Sequence, residues 1–456
     1  MLIRLAISNY LSFKNDVEFT MIAANSLGQH PDHKFEINKE KKIYGLKSAA
    51  LYGANASGKS NLIEALRELQ KIIRRGKIPK NIDGKIFRLS PKNKNLPITL
   101  EVEIFENSNL YSYGISFKKD IILEEWLYNT TNDKSPIKIF ERVYNNELKT
   151  PKIDLNLKAI TLKKEGELKT LISVFEKKLL LNNETFITKN DYLEIESFDQ
   201  VINWFQNKLT IISPNAKAIS VADMFHNDMK LKKFAENIIS NFDTGIDNFS
   251  IQKSSLESYL LGNSVDPEVL DALKKDLSEE EFDDNSFKRI IRVGSDAIAF
   301  EKEGDDFIVK ELITNKCVNG KTYCFEKKEE SDGTQRLIDL VPMLYDIIND
   351  RKVYVVDELD RSMHPLLICK IVELISKSKR DGQLIFSTHE SNLLNTDYFR
   401  TDEIWFVEKT NIEQETKLYS LNEFTPRLDM NFSKGYLNGR FGAIPFLASI
   451  KDLNWE

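Results

Sequence analysis

The fold is decided by the stretch Gly53-Ala54-Asn55-Ala56-Ser57-Gly58-Lys59-Ser60, which follows the pattern G-x-x-x-x-G-K-[ST]. Its two glycines permit a tight curl that points successive backbone N–H groups at the phosphates of a nucleotide. In this pattern the lysine reaches the β- and γ-phosphates, and the final hydroxyl ligates Mg²⁺. The loop therefore predicts a site for a nucleoside triphosphate, formed by Gly53, Asn55, Ala56, Ser57, Gly58, Lys59, Ser60 and Asn61.

The residues on both sides of this loop predict the strand–loop–helix context that the motif requires. Leu46 to Tyr52 reads as a short buried strand that leads into the loop. From Asn61 onward, apolar residues recur at helical spacing until Gly76. A helix in this position aims the positive end of its dipole at the phosphates.

A second motif lies in the C-terminal half, where the hydrophobic run from Val353 to Val356 ends in Asp357-Glu358. In enzymes with this phosphate loop, the first acid at such a strand end holds Mg²⁺, and the second polarises the attacking water. We therefore expect Asp357 to join Ser60 in a magnesium site, and Glu358 to act as the catalytic base. The alternative is that both acids simply face solvent.

Two further segments complete the pattern. Ser331 and Gly333 precede an apolar helix, and a hydroxyl and free N–H groups at a helix N-terminus suit a phosphate. The apolar run that begins at Gln383 ends in His389, which can donate a hydrogen bond to a γ-phosphate. An ordinary helix cap and a structural histidine are the competing interpretations.

Length and composition limit the classes of protein. A chain of 456 residues holds two to three domains, or one large domain with an insertion. No apolar run approaches the ~20 residues of a membrane span, and the N-terminus lacks a cleavable signal pattern. The cysteines Cys317, Cys324 and Cys369 form no metal-ligand cluster, and their odd number argues against a disulfide framework. We therefore expect a cytoplasmic protein without a membrane partner.

The distribution of helix-like and strand-like segments along the chain predicts three regions. Residues 1–149 contain a β-hairpin, the phosphate loop and four β-like runs between 97 and 145, which predict an antiparallel sheet. Residues 150–290 predict a mainly helical insertion, with helices at Leu168–Leu181, Phe198–Leu209, Met229–Phe242 and Pro267–Leu277. An acidic run from Asp276 to Asp284 reads as a solvated loop. Residues 291–456 carry the remaining motifs.

The order of these four motifs resembles the ABC-type ATPase heads of SMC and DNA-repair proteins. It resembles most the stand-alone bacterial AAA ATPase-like proteins of phage-defence and abortive-infection loci. Supporting stretches are Asn9-Tyr10-Leu11-Ser12-Phe13, the run from Glu358 to Pro365, and Gly439-Arg440-Phe441-Gly442-Ala443-Ile444-Pro445. The resemblance covers residues 1–145 and 300–456. It implies an α/β P-loop NTPase head with an antiparallel β-subdomain, largely parallel core strands and a helical insertion.

Two positions depart from that family. Asp332 and Thr334 stand where transporter-type heads have Gly and Gln, and residues 85–105 contain no Gln to couple the metal to the arm. The resemblance implies an Mg²⁺-dependent ATP hydrolase with Glu358, His389 and Lys59 as catalytic residues. Two heads would sandwich ATP in a homo-oligomer, in which a second copy contributes Ser331, Gly333 and Asp360.

The same resemblance implies a phage-defence sensor that controls a separate effector, such as a TOPRIM-like nuclease, in response to a phage-derived trigger. The alternative is a DNA-tethering, SMC-like repair or recombination ATPase, which would require a long heptad coiled coil that residues 150–290 are too short to form. A non-hydrolysing scaffold is disfavoured by Glu358, and a transporter motor by the large insertion. The net charge of −6 does not indicate nucleic acid as a partner.

Overall fold

The computed structural model describes residues 1–80, 82–131, 135–159, 165–216, 220–262, 288–293, 296–303, 306–427 and 430–444. Its strands are β1 (Leu2–Ser8), β2 (Val17–Thr20), β3 (Lys34–Asn38), β4 (Ile43–Leu46), β5 (Ser48–Tyr52), β6 (Ile98–Glu106), β7 (Asn109–Lys118), β8 (Ile121–Asn129), β9 (Ile137–Asn145), β10 (Thr150–Leu155), β11 (Leu209–Ile212), β12 (Asn248–Ser255), β13 (Lys288–Val293), β14 (Asp296–Glu303), β15 (Asp306–Val318), β16 (Lys321–Glu326), β17 (Val353–Val356), β18 (Gln383–Ser387), β19 (Ile404–Lys409) and β20 (Thr416–Ser420). Its helices are α1 (Lys59–Arg75), α2 (Glu165–Val174), α3 (Asn190–Leu193), α4 (Glu196–Asn203), α5 (Val221–Asn227), α6 (Met229–Asn241), α7 (Leu256–Gly262), α8 (Asp332–Asn349), α9 (Pro365–Ser376) and α10 (Phe432–Leu437).

The core sheet carries the strands that lead into the predicted motifs. Within the described ranges its order is β11-β17-β18-β5-β19-β20, and every neighbouring pair except β19–β20 is parallel. Strands β5, β17 and β18 are buried along their whole length, which explains their continuous apolar runs. The predicted α/β class with a largely parallel core sheet is confirmed. The predicted single strand from Leu46 to Tyr52 is wrong in its start, because Lys47 separates β4 from β5.

The β-subdomain is a second, antiparallel sheet of order β10-β9-β8-β7-β6-β1-β2. Side chains of β6 alternate between buried and half-buried, as expected for a sheet with one face in the core. This sheet confirms the predicted N-terminal hairpin and the predicted strands between residues 97 and 145. β10 adds a strand beyond them by pairing with β9.

Helix α1 links the two sheets through one hydrophobic core. Its Leu62, Leu66 and Leu69 are almost fully buried and belong to the same cluster as the inward side chains of β1, β6 and β5. The helix stops at Gly76, which has the left-handed φ of 65° and donates its N–H to the Ile73 carbonyl. The predicted end of this helix is thus confirmed.

The chain divides into two compact units whose boundaries differ from those predicted at residues 150 and 290. Unit 1 comprises Met1–Pro214, Ile347–Asp360 and Cys369–Glu456, and unit 2 comprises Asn215–Asp346 and Arg361–Ile368. Residues 150–214, nearly half of the predicted insertion, belong to unit 1 because β10 pairs with β9 and β11 pairs with β17. Backbone pairing with the head therefore moves the boundary from residue 150 to residue 214.

Unit 2 contains a sheet of order β12-β15-β14-β13, with β16 paired to β15, and helices α5 to α7. The described part of residues 150–290 contains more helix than strand, although β12 and the start of β13 belong to this sheet. Helices near 168–181, 198–209 and 229–242 are present, and the first two finish in π-helical turns. The predicted helix Pro267–Leu277 and the predicted loop Asp276–Asp284 lie outside the described residues. In the described part of the chain, no helix has the length and apolar character needed to cross a membrane.

Candidate functional site

Most of the residues predicted to bind the nucleotide line one cavity in unit 1, with a volume of about 320 Å³. Of the predicted residues, Gly53, Ser331, Gly333 and Asp360 are not in its lining. Residues 55–61 line it from the loop, Asp357, Glu358 and His389 from the strand ends, and Lys409 from the end of β19. These residues are far apart in the sequence. They meet because the carboxyl ends of parallel strands lie at one edge of the core sheet.

The phosphate cradle, residues 53–61, needs its two glycines for different reasons. Gly53 packs so closely on β19 that a Cβ would clash with the Val407 carbonyl oxygen. Gly58 has a φ of 116°, and its Cβ would lie 2.9 Å from the Ser12 hydroxyl. The backbone of the cradle is therefore fixed by sterics as well as by φ.

Lys59 is buried inside the cradle. Its Nζ donates to the carbonyl oxygens of Gly53 at 2.7 Å and Ala54 at 3.1 Å. Burial lowers the pKa of Lys59 to about 8, although the carboxylates of Asp357, Asp360 and Glu358 favour the charged form. The ammonium is thus held close to the acids on the next strands, in reach of an anion that enters the cavity.

The two acids after β17 are held by Ser387 at the end of β18. The Ser387 hydroxyl donates to Asp357 Oδ1 at 2.5 Å and accepts the N–H of Glu358 at 2.8 Å. Asp357 is buried, whereas Glu358 is half-buried and has a left-handed φ of 52°. Because a β-carbon disfavours that φ, the turn that projects the Glu358 carboxylate into the cavity is strained.

His389 and Asp360 contact each other in the same chain. The backbone N–H of His389 donates to Asp360 Oδ2 at 3.0 Å, while the buried Oδ1 has no hydrogen-bond partner. Desolvation is the largest effect that lowers the pKa of His389, followed by the nearby charge of Lys59. Three nearby carboxylates act in the opposite direction and raise this pKa, but by less. The imidazole is therefore held towards its neutral form, which keeps one N–H donor and one acceptor.

The hydroxyls of Ser12 and Thr416 stabilise the cradle, a role that the sequence analysis assigned to neither residue. Thr416 Oγ1 lies 2.7 Å from both the Ser57 carbonyl and Ser12 Oγ. Because a carbonyl oxygen can only accept, Thr416 donates to Ser57. Asn61 Nδ2 donates to Ser12 Oγ at 2.7 Å, so the start of α1 is tied to the same pair. Ser12 lies in the stretch Asn9–Phe13 that supports the family resemblance, whereas Thr416 lies in no motif.

The signature segment, residues 330–336, belongs to unit 2 and does not line the cavity. The exposed Ser331 hydroxyl accepts the Thr334 N–H at 3.3 Å, as a helix cap does. Gly333 packs against the next loop, where a Cβ would lie 2.6 Å from the Ser362 carbonyl oxygen. Glu330 accepts from Thr314 Oγ1 at 2.6 Å and from Lys316 Nζ at 2.8 Å. The segment is thus held by strand β15.

The cavity has the groups that Mg²⁺ and a triphosphate require. Ser60 and Asp357 supply the hydroxyl and carboxylate oxygens that this hard cation prefers. The buried Ser57 Oγ has no partner, which leaves a hydroxyl free at the cradle. The close-packed glycines, the free hydroxyl and the lysine therefore fit an anion, and the two oxygen ligands fit the metal.

The family model described as "AAA domain, putative AbiEii toxin, Type IV TA system" matches residues 48–395. A comparison with curated proteins gave no significant match.

Several solved structures are similar at low identity. The SMC head domain from Thermotoga maritima is 13% identical, with a TM-score of 0.41 over 92% of this chain and 98% of that chain. An SmcHead bound to the C-winged helix domain of ScpA is 12% identical, with a TM-score of 0.42 over 92% and 97%. An Smc head domain with an extended coiled coil, bound to the C-terminal domain of ScpA derived from Pyrococcus furiosus, is 14% identical, with a TM-score of 0.41 over 93% and 97%. TM-scores this low carry no functional argument.

The family match spans well over half of the chain. It includes the phosphate cradle, the signature segment, the acids after β17 and His389. The chain therefore belongs to the AAA ATPase family described as "AAA domain, putative AbiEii toxin, Type IV TA system".

Proposed function

We propose that this chain is an Mg²⁺-dependent ATP hydrolase that works as a molecular switch. The observation that carries the proposal is the shared cavity, in which Lys59 and Ser60 meet Asp357, Glu358 and His389. Binding and chemistry are then combined in unit 1. Catalysis of phosphoryl transfer relies mainly on positioning and charge stabilisation, and these residues supply both.

In the proposed reaction, a water oxygen attacks the γ-phosphorus while the Glu358 carboxylate accepts the water proton. The bond from the γ-phosphorus to the β–γ bridging oxygen breaks, and ADP leaves with the electron pair. Lys59 and the cradle N–H groups stabilise the charge on the phosphates, and His389 donates to the γ-phosphate. Bound Mg²⁺, held by Ser60 and Asp357, would neutralise charge on the β- and γ-phosphate oxygens.

A second copy completes the site in this proposal by offering Ser331 and Gly333 to the γ-phosphate. Support comes from the position of Ser331, which is exposed at the N-terminus of α8, an 18-residue helix. Asp360 would link the two sites, since it contacts His389 and keeps one oxygen unpaired. Hydrolysis would then remove the charge that holds the copies together.

For the cellular role, we propose the sensor subunit of a bacterial anti-phage defence system that controls a separate effector. The support is the family description, which names a "putative AbiEii toxin" and a "Type IV TA system". A TOPRIM-like nuclease is the proposed effector, and a phage-derived molecule the proposed trigger. The competing DNA-tethering role needs long helical arms, but the helices described between residues 165 and 262 are short: α2 with its π-helical turn ends at Leu179, and α6 has 13 residues.

The hydrolase proposal is tested with Glu358→Gln, which keeps the shape of the side chain but removes the base. We expect ATP affinity to stay unchanged, phosphate release to fall by about 10²-fold or more, and ATP-bound oligomers to accumulate. Glu124→Gln, an exposed carboxylate on β8, is the matched control. Phosphate release at the wild-type rate from Glu358→Gln would show that Glu358 is not the base.

The cellular role is tested by two measurements. Plating of phage on cells that carry the protein and its neighbouring genes should show protection that Glu358→Gln alters. Strong stimulation of the ATPase rate by duplex DNA, without protection from phage, would instead favour the DNA-tethering role.

A further inference from the structure

Strand β19 ends between two cavities of unit 1. The first is the nucleotide cavity, and the second, with a volume of about 420 Å³, lies beside it. Asn61 and Lys409 line both. Lys409 is therefore at the junction, opposite the first turn of α1.

The packing of β19 explains why Lys409 faces this junction. Successive side chains of a strand point to opposite faces, so Lys409 shares its side with Val407, whose carbonyl abuts Gly53. The other face carries Phe406 and Glu408. It is covered by the segment from Gly439 to Ala443.

The contacts of that covering segment hold the strand in place. Phe441 is buried and stacks on Phe406 with ring centroids 5.8 Å apart. Glu408 accepts the Tyr419 hydroxyl at 3.1 Å and the Ala443 N–H at 3.2 Å. The part of the Gly439–Pro445 stretch that the structure describes thus packs on β19, while Pro445 lies outside the described residues. With one face fixed in this way, the lysine on the other is held at the cavity rim.

The charge of Lys409 is not used by the protein itself. It forms no ion pair with any carboxylate in the described part of the chain, whereas Glu413 on the same hairpin pairs with Lys14 at 2.7 Å. The nucleotide cavity therefore has two ammonium groups, one deep in the cradle and one at the rim. An extended polyanion that passes from one cavity towards the other would meet both.

The second cavity differs in chemistry from the first. Leu11, Ile86 and Phe87 contribute to its walls, and its lining is mainly apolar. Such a wall suits a flat, weakly polar group better than a phosphate. A ligand with phosphates at one end and an apolar ring at the other matches the pair of cavities.

We infer that Lys409 is a second cationic ligand of the nucleotide and contacts the phosphate nearest the ribose. The inference rests on the proposed function, because it requires that the first cavity binds ATP. Lys59 lies in the cradle, close to the acids that follow β17, so it would contact the distal phosphates. Lys409 lies next to the second cavity, so it serves the phosphate that ATP and ADP share.

The test compares the affinities of ATP and ADP, measured by calorimetry, in the full chain. We expect Lys409→Ala to weaken both nucleotides by a similar factor of about ten, and Lys409→Arg to restore most of the loss. Lys59→Ala should weaken ATP more than ADP. Lys417→Ala is the matched control, since Lys417 is exposed on β20 and pairs in register with Glu408.

Three outcomes would overturn the inference. One is that Lys409→Ala binds both nucleotides as tightly as Lys417→Ala does. Another is that it loses affinity for ATP alone, which would place Lys409 at the γ-phosphate. If the wild-type chain binds neither nucleotide, the proposed function fails together with the inference. Thermal unfolding of each variant without nucleotide separates lost binding from lost folding.

Discussion

The phosphate cradle and the signature segment hold their backbones in different ways. The cradle is braced by distant parts of unit 1: Ser12 from the first hairpin, Val407 from β19 and Thr416 from β20. The signature segment is braced within unit 2 by Thr314, Lys316 and Ser362.

The two segments also differ in exposure. Ser57 and Lys59 of the cradle are buried, whereas Ser331 is exposed and its hydroxyl only caps its own turn. The shape of the cradle is thus fixed by the fold of unit 1, while the Ser331 hydroxyl of the signature segment is accessible to another molecule. This contrast predicts that changes in the cradle alter affinity, and that changes in the signature segment alter turnover.

Lys59→Ala should have the largest effect. It removes the buried ammonium from the cradle, and charge-assisted hydrogen bonds to phosphates contribute about 1.5–3 kcal/mol each. We expect ATP affinity to fall by about 100-fold or more in calorimetry. Lys80→Ala, an exposed lysine in unit 1, should bind as the wild type does. If Lys59→Ala lowered the turnover but left the ATP affinity unchanged, the predicted difference between the cradle and the signature segment would be wrong.

Gly333→Ala should come next. The new Cβ would lie 2.6 Å from a backbone oxygen of Ser362, so the start of α8 must shift. We expect the ATPase rate to fall by about tenfold or more, because small displacements of catalytic groups are costly. ATP affinity should stay within about twofold. Gly262→Ala, where a Cβ would meet nothing within 4 Å, is the control in unit 2. If Gly333→Ala lowered the ATP affinity as much as the ATPase rate, the signature segment would not differ from the cradle in its role.

Thr416→Val should have a moderate effect on the cradle. The change keeps the shape of the side chain but leaves the Ser57 carbonyl without its donor, at a cost of about 1–3 kcal/mol in the free energy of unfolding. We expect a lower melting temperature and ATP affinity reduced about threefold. Thr150→Val, on β10, is the control, and an unchanged melting temperature would show that the brace is dispensable.

Glu330→Gln should have the smallest effect. It removes the charge pair with Lys316 but keeps an acceptor for Thr314, and a partly exposed pair contributes about 1 kcal/mol or less. We expect the ATPase rate to fall about twofold, with ATP affinity unchanged. A double-mutant cycle with Lys316→Met measures the coupling, and a coupling near zero would show that β15 does not hold the segment.

Much of the nucleotide cavity could be predicted from the sequence because its information is local. The strand–loop–helix around Gly58 needs no knowledge of distant neighbours. The meeting of Glu358 and His389 with Lys59 follows from one further rule, that ends of parallel strands share an edge. The end of α1 could also be predicted, from the single residue Gly76.

The features that the sequence did not reveal depend on which distant segments become neighbours in the fold. Thr416 and Lys409 lie on a hairpin without any motif, and only the pairing of β19 with β5 brings them to the cradle. The pairing of strands in the sheet of unit 2 depends on distant neighbours in the same way, since β12 pairs with the 13-residue β15 across more than fifty residues of sequence. Short polar-rich runs do not reveal such partners.

The hydrogen bond between Thr416 and Ser57 spans 359 residues, and this has a consequence for synthesis on the ribosome. At about 5–20 residues per second, roughly 20–70 seconds pass between the emergence of the loop and that of its brace. During that interval the nascent chain contains the complete glycine-rich motif without the groups that stabilise its shape. Tight nucleotide capture should therefore begin only after Thr416 has left the exit tunnel.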